Sequence, residues 1–325
     1  MKGKRKNMNF KKLMSASLAL ILAAGCSAKT DNGSADEQQK AEETTVEAEG
    51  LKILSPTGAP SLSLLPIVKG GKNTVETVEG ADPLQAALVN PDPAYDVIVA
   101  PTNLGVKLAS AGKTDYRLLA VVTWGNLYII GSDEADLTEG HTVAAFGEQA
   151  VPGLVFKKVY GDIAAEVSFA YQTGQETMAA LLSGNADAAL IAEPAATAAI
   201  ANGKEAGKEL KVISDVQKEW GGNGFPMAGL FVNSKTYEDN KAMITDLLNQ
   251  MKDYAANVNT DDPSALIADL NEAGIETFGV PSAEIIGKCW SRMNINIRDA
   301  AECKDDVASF LKVFGVESID GAIAE

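Results

Sequence analysis

The sequence predicts an α/β fold divided into two lobes, and three observations carry that prediction. From Leu51 onward, short β-like runs alternate with helical patterns. Most of those runs are near-continuously apolar, as strands covered on both faces of a sheet must be. Two clusters of turn-forming residues, at 131–140 (GSDEADLTEG) and 220–226 (WGGNGFP), mark where the chain leaves one sheet and returns to it. Residues 134–225 then form a second lobe inserted in the first, which comprises 51–133 and 226–325. Strand C-termini and helix N-termini would face a cleft between the lobes.

In chain order the expected strands are 51–55 (LKILS), 95–100 (YDVIVA), 116–122 (YRLLAVV), 127–132 (LYIIGS) and 142–146 (TVAAF). They continue with 166–171 (EVSFAY), 187–192 (DAALIA), 210–214 (LKVIS) and 229–233 (GLFVN). Helices between them open on turn chemistry. Asp82-Pro83 starts PLQAALVN, Thr173 with Glu176 forms a capping-box pattern, and Glu193-Pro194 starts AATAAIANG. Beyond Val232 the pattern becomes helical. Ile244, Leu247, Leu248, Met251, Tyr254, Ala255 and Val258 make one apolar stripe, and amphipathic segments follow near 263–273, 282–291 and 300–314.

Residues 1–25 read as an export signal. Lys2, Lys4, Arg5, Lys6, Lys11 and Lys12 form a basic region, and Leu13 to Ala24 is apolar but too short to span a bilayer. The stretch ends in Leu22-Ala23-Ala24-Gly25-Cys26, so Cys26 is the expected lipidation site and membrane anchor of a bacterial lipoprotein. Residues 26–50 are small, polar and acidic, the composition of a flexible tether. Removing the six basic residues of the signal leaves 22 basic against 44 acidic side chains, a net charge of −22. That balance disfavours nucleic acid as a partner. Cys289 and Cys303 remain, and outside the cytoplasm they can pair as a disulfide or stand as two separate buried thiols.

Several chemistries are excluded. His141 is the single histidine, which removes His-rich metal sites and His-based triads. There is no G-x-S-x-G elbow, Walker A loop or C-x-x-C pair. WGGNGFPMAG has Met227 where a dinucleotide fingerprint needs its third glycine. No cofactor, metal or catalytic residue is expected.

Segments 55–60 (SPTGAP), 96–103 (DVIVAPTN), 124–128 (WGNLY), 143–147 (VAAFG), 183–194 (SGNADAALIAEP) and 224–232 (GFPMAGLFV) complete the reading. Together and in this order they resemble the substrate-binding lipoproteins of nitrate/taurine/sulfonate ABC importers, a group that includes binders of thiamine precursors. The resemblance covers most of 51–315. It implies the type II periplasmic-binding-protein fold, a monomer outside the cytoplasm, a small-molecule ligand between the lobes and ABC permease subunits as partners. The same fold serves some enzymes, so a lyase-like exported enzyme and a ligand-sensing lipoprotein are the alternatives.

Loops after strands are the expected ligand contacts. Thr57, Gly58 and Ala59 follow the first strand, where small residues expose backbone N–H groups. Thr102 and Asn103 open a helix and can either receive a polar ligand atom or act as caps. Trp124 can stack on a flat ligand or cover the core. Phe146, Gln149, Gln172 and Thr173 lie at strand ends of the second lobe. Glu193 can accept a ligand N–H or cap the helix after it. Only Arg117, Arg292 and Arg298 follow the signal, and Arg117 enters its strand on the side away from the cleft. Arginine forks are the common oxyanion clamp. A neutral or cationic ligand, such as a nitrogen heterocycle, is therefore expected.

Overall fold

The computed structural model describes residues 50–324; the expected export signal, Cys26 and nearly all of the expected tether lie outside the described residues. The strands are β1 (Lys52–Pro56), β2 (Thr74–Val78), β3 (Val97–Pro101), β4 (Tyr116–Thr123), β5 (Leu127–Gly131) and β6 (Thr142–Phe146). They continue as β7 (Glu166–Tyr171), β8 (Ala188–Ala192), β9 (Lys211–Asp215), β10 (Ala228–Asn233) and β11 (Ile295–Asp299). They form a six-stranded sheet in the order β11-β4-β10-β3-β1-β2 and a five-stranded sheet in the order β7-β6-β8-β5-β9. Each sheet is mixed. In the first, β1 runs parallel to β2 and β3, whereas β10 runs antiparallel to β3 and β4. In the second, β6 is parallel to β7 and β8, and β5 is antiparallel to β8 and β9.

The apolar runs became strands because both faces of each sheet are covered. β3 is buried through Ala100, and β4, β5 and β10 are buried almost throughout. The expected strands all form, within a residue or two at their ends. β2 and β11 were not expected, and their composition explains it. β2 (TVETV) is an edge strand with half-exposed alternation, and β11 (INIRD) interleaves polar residues at the opposite edge. Each is held by one neighbour and needs no continuous apolar run.

Leu127–Gly131 corrects the expected boundary at residues 133/134. It pairs with β8 and β9, so the second sheet begins at Leu127 and the first crossing is the short segment 124–126. The sequence cue at 131–140 is instead a 3₁₀ turn within the second lobe, where Asp136 accepts from the Ser132 and Asp133 N–H groups. The chain returns between the helix Val216–Trp220 and β10.

Three apolar clusters fill the molecule. One lines the outer face of the first sheet beneath the helices Lys241–Asn257, Ser264–Ala273 and Ala283–Cys289. A smaller one lies under Gly174–Ser183 and Ala195–Glu205 in the second lobe. The third runs through both lobes, from Leu54 and Ile98 to Val143 and Phe156. At its centre Phe225 stacks on Phe310, with centroids 5.9 Å apart and planes 13° from parallel, and Trp220 and Phe314 meet Phe310 edge-on.

Cys289 and Cys303 are free and both buried, in different clusters. They are the two separate thiols of the sequence alternatives. Burial pushes the Cys289 thiol up to about 12 and the Cys303 thiol to about 11. Their folded forms therefore stay neutral while unfolded thiols ionise near 9.0. Stability contributed by these groups is complete below that pH and falls as pH rises through 11 to 12. Peptide mapping should find both cysteines unreactive to alkylation at pH 8 in the folded protein, and fully alkylated in denaturant without reductant.

Candidate functional site

Strand direction decides where the loops gather. β1, β3 and β4 share one direction, so Pro56, Pro101 and Thr123 end on the same edge of the first sheet. In the second, β6, β7 and β8 share a direction and β5 opposes them, so Phe146, Tyr171 and Ala192 end where β5 begins. The segment Thr123–Leu127 joins these two edges, and both sets of C-terminal loops therefore face one another across it.

This connection is buried. Thr123 O accepts from Met227 N–H (2.9 Å), and Trp124 N–H donates to Asn294 O (3.0 Å). Asn294 Nδ2 donates to Gly125 O (2.9 Å). Asn126 O accepts from Glu193 N–H (2.9 Å), and Leu127 N–H donates to the Gln217 side chain (2.7 Å). Gly125 has φ +84°, and a Cβ there would lie 2.5 Å from Gln217 Cγ and 2.8 Å from the Phe225 ring, so only glycine fits.

The expected contacts divide into two groups. Thr57 and Gly58 do not offer free N–H groups, because these donate to Val78 O (3.1 Å) and Phe278 O (2.9 Å), and Ala59 is buried. The turn at 275–279 caps this loop, with Gly279 directly against Thr57. Trp124 covers the core: its Nε1–H donates to Asn296 O (2.8 Å), and the Arg298 guanidinium lies over the ring at 4.6 Å. Glu193 caps the next helix, accepting from Thr197 N–H (2.9 Å) and Thr197 Oγ1–H (2.8 Å). Thr173 likewise accepts from Glu176 N–H (3.2 Å), while Glu176 accepts from Gln172 N–H (2.6 Å), one residue before the usual capping-box donor.

Thr102 and Asn103 are the opposite case. Their helix (Thr102–Ser110) has no side-chain cap, so the capping alternative does not hold. Thr102 N–H donates to Met227 O (3.1 Å), which ties the end of β3 beside the end of β4. Phe146 lies against Gly174 at the paired ends of β6 and β7, with Gln149 and Gln172 exposed nearby in sequence.

Four buried side-chain oxygens have no hydrogen-bond partner among the described residues: Thr102 Oγ1, Asn103 Oδ1, Thr123 Oγ1 and Asn126 Oδ1. All belong to the strand ends and the connection just described. Each unsatisfied group costs about 1–3 kcal/mol, so four at one edge call for a partner. Thr123 and Asn126 escaped the sequence reading. Their signal was the short polar break T-W-G-N between two apolar strands, which by itself reads only as a turn.

Arg292 lies in the 3₁₀ turn Trp290–Met293 of the C-terminal helical region, and its role does not show in the sequence. Its Nε donates to Glu193 Oε1 (2.7 Å) and its Nη2 to Thr197 Oγ1, across the two lobes. Tyr128 Oη donates to Arg292 O (2.8 Å) from β5. The Glu193 side chain is 0% exposed and that of Arg292 36%. Removing the arginine strands a buried carboxylate, though partial exposure on the arginine side moderates the loss. Arg292→Ala should lower stability by about 2–4 kcal/mol in urea unfolding. Glu193→Gln, which keeps a capping acceptor, should cost less.

No protein-family profile and no curated protein sequence matches the chain. Solved structures do. An ABC transporter protein from Parabacteroides distasonis aligns with TM-score 0.70 at 21% identity, over 85% of this chain and 99% of its own. The periplasmic aliphatic sulphonate binding protein SsuA of Escherichia coli gives 0.60 at 19%, over 85% and 92%. The alkanesulfonate-binding protein SsuA of Xanthomonas axonopodis pv. citri, bound to MOPS, gives 0.57 at 13%, over 85% and 98%. The fold is that of the type II periplasmic binding proteins: two α/β lobes on open mixed sheets, joined by crossover segments.

Proposed function

We propose that this chain is an extracytoplasmic solute-binding protein that holds a small molecule between its lobes and presents it to the permease of an ABC importer. The observation that carries the reading is the set of unpartnered oxygens of Thr102, Asn103, Thr123 and Asn126, gathered where the C-terminal strand edges of both lobes meet. Buried polar atoms that the chain leaves unsatisfied are suited to a polar ligand, and cleft sites of this kind lie outside the carboxyl ends of strands. Likeness in fold to ABC-transporter proteins supports the importer as partner. Ligand stabilises the closed arrangement in proportion to its preference for it, and no covalent step is needed.

The basic-then-apolar N-terminus ending in Cys26 supports a lipid anchor, with 26–50 as tether. The ligand is neutral or cationic, a nitrogen heterocycle being the simplest candidate. All three arginines after the signal are engaged: Arg117 with the Thr114 and Tyr116 carbonyls, Arg292 with Glu193, and Arg298 with Asp306 and the Trp124 ring.

Thermal unfolding of the full chain against sulfonates, nitrate, amino acids, polyamines, pyrimidines and vitamin precursors tests the reading. A binder at about 100 times its Kd should stabilise the fold by roughly 2.7 kcal/mol and be recovered unchanged. Stabilisation by sulfonates alone would remove the ligand-charge assignment, and chemical turnover would remove the binding-protein reading. Cys26→Ala should move the protein from the membrane fraction into the soluble fraction.

A further inference from the structure

We infer that Asn126 is the residue that selects the ligand, by accepting a hydrogen bond from hydrogen on a ligand nitrogen. This rests on the solute-binding reading and names the solute class: carboxamides, amino-heterocycles or amines, in preference to oxyanions.

Which end of the Asn126 amide is left free decides whether a ligand meets a donor or an acceptor there. Asn126 Nδ2 donates to Glu193 O (3.0 Å), while Glu193 N–H donates to Asn126 O (2.9 Å). Rotating the amide would set Oδ1 against the Glu193 carbonyl, two acceptors in contact. The bond to Glu193 therefore orients Oδ1 away from it, and Oδ1 is the buried atom without a partner among the described residues. An amide oxygen only accepts. A ligand that satisfies it must bring a donor.

The neighbouring hydroxyls do not decide the matter. Thr102 and Thr123 can each donate or accept, so they suit either kind of ligand. Thr102 is 0% exposed, Thr123 1% and Asn126 5%, so solvent has little access to satisfy any of them. An oxyanion offers acceptors alone and would leave Asn126 Oδ1 facing a second acceptor. A site built around a hydrogen bond rejects the analogue that lacks it far more strongly than an apolar site rejects a missing methylene.

The test uses matched pairs with the full chain, read as thermal-midpoint shifts and titrated affinities. The pairs are benzamide and methyl benzoate, 1-methylcytosine and N1,N4,N4-trimethylcytosine, and putrescine and its bis-quaternary hexamethyl analogue, with nitrate and methanesulfonate as oxyanions. Binding should be confined to members with hydrogen on nitrogen, with partners lacking it about 10- to 100-fold weaker or silent. Asn126→Ala should weaken the preferred member and narrow the difference within its pair, whereas a merely structural role would weaken both members alike. Because Asn126 also holds Glu193, that variant can fail to fold, and the pairs on the unaltered chain then decide alone. Equal binding of a methylated member, an ester or an oxyanion overturns the assignment and leaves the solute-binding reading standing. So does an unchanged difference in a folded Asn126→Ala protein. No shift with any compound overturns both.

Discussion

The chain passes from one sheet to the other through a connection that has no access to water, and much of the fold follows from satisfying it. A buried backbone must find partners for its N–H and C=O groups within the protein. Thr123, Trp124, Gly125, Asn126 and Leu127 find them in Met227, Asn294, Glu193 and Gln217. Those partners come from the return crossing, the C-terminal turn before β11, the end of β8 and the helix after β9. One five-residue passage thus gathers segments separated by up to 172 residues, Trp124 also donating to Asn296 O. Gly125 is required because a side chain would enter Gln217 and Phe225.

The lobes also meet on either side of that passage, by different physics. On one side the contact is aromatic, Phe225 and Trp220 against Phe310. On the other it is polar, Arg292 reaching Glu193 and Thr197. The aromatic contact gains from area removed from water and tolerates small displacements. The ion pair is directional, and Glu193 is also held by its capping bonds to Thr197. The same carboxylate is thus a helix cap and an interlobe contact, which leaves it committed within the protein.

What stays uncommitted is correspondingly informative. Charge is spread over the surface at a net −16 for the whole chain, yet the arginines near the lobe interface are neutralised locally. The polar atoms left over are hydroxyl and amide oxygens. Such groups interact by hydrogen-bond geometry, with little long-range attraction.

The sequence by itself determined the α/β class and nearly all the buried strands, because continuous apolar runs such as DVIVA and LYIIG have one stable destination, the middle of a covered sheet. It also determined the helix starts at Asp82, Thr173 and Glu193, whose signals are local. Thr102 and Asn103 were legible as strand-end residues for the same reason. Tertiary structure alone decided the edge strands β2 and β11, whose pairing compensates for a weak pattern, and the allegiance of β5, since an apolar run does not say which sheet it joins. It also decided that Trp124 and Glu193 serve the scaffold, that Arg292 crosses between lobes, and that Asn126 turns its amide oxygen away from Glu193. Apart from the local cap of Glu193 on Thr197, each of those roles depends on a partner between 67 and 172 residues away, and no local pattern encodes a contact at that range.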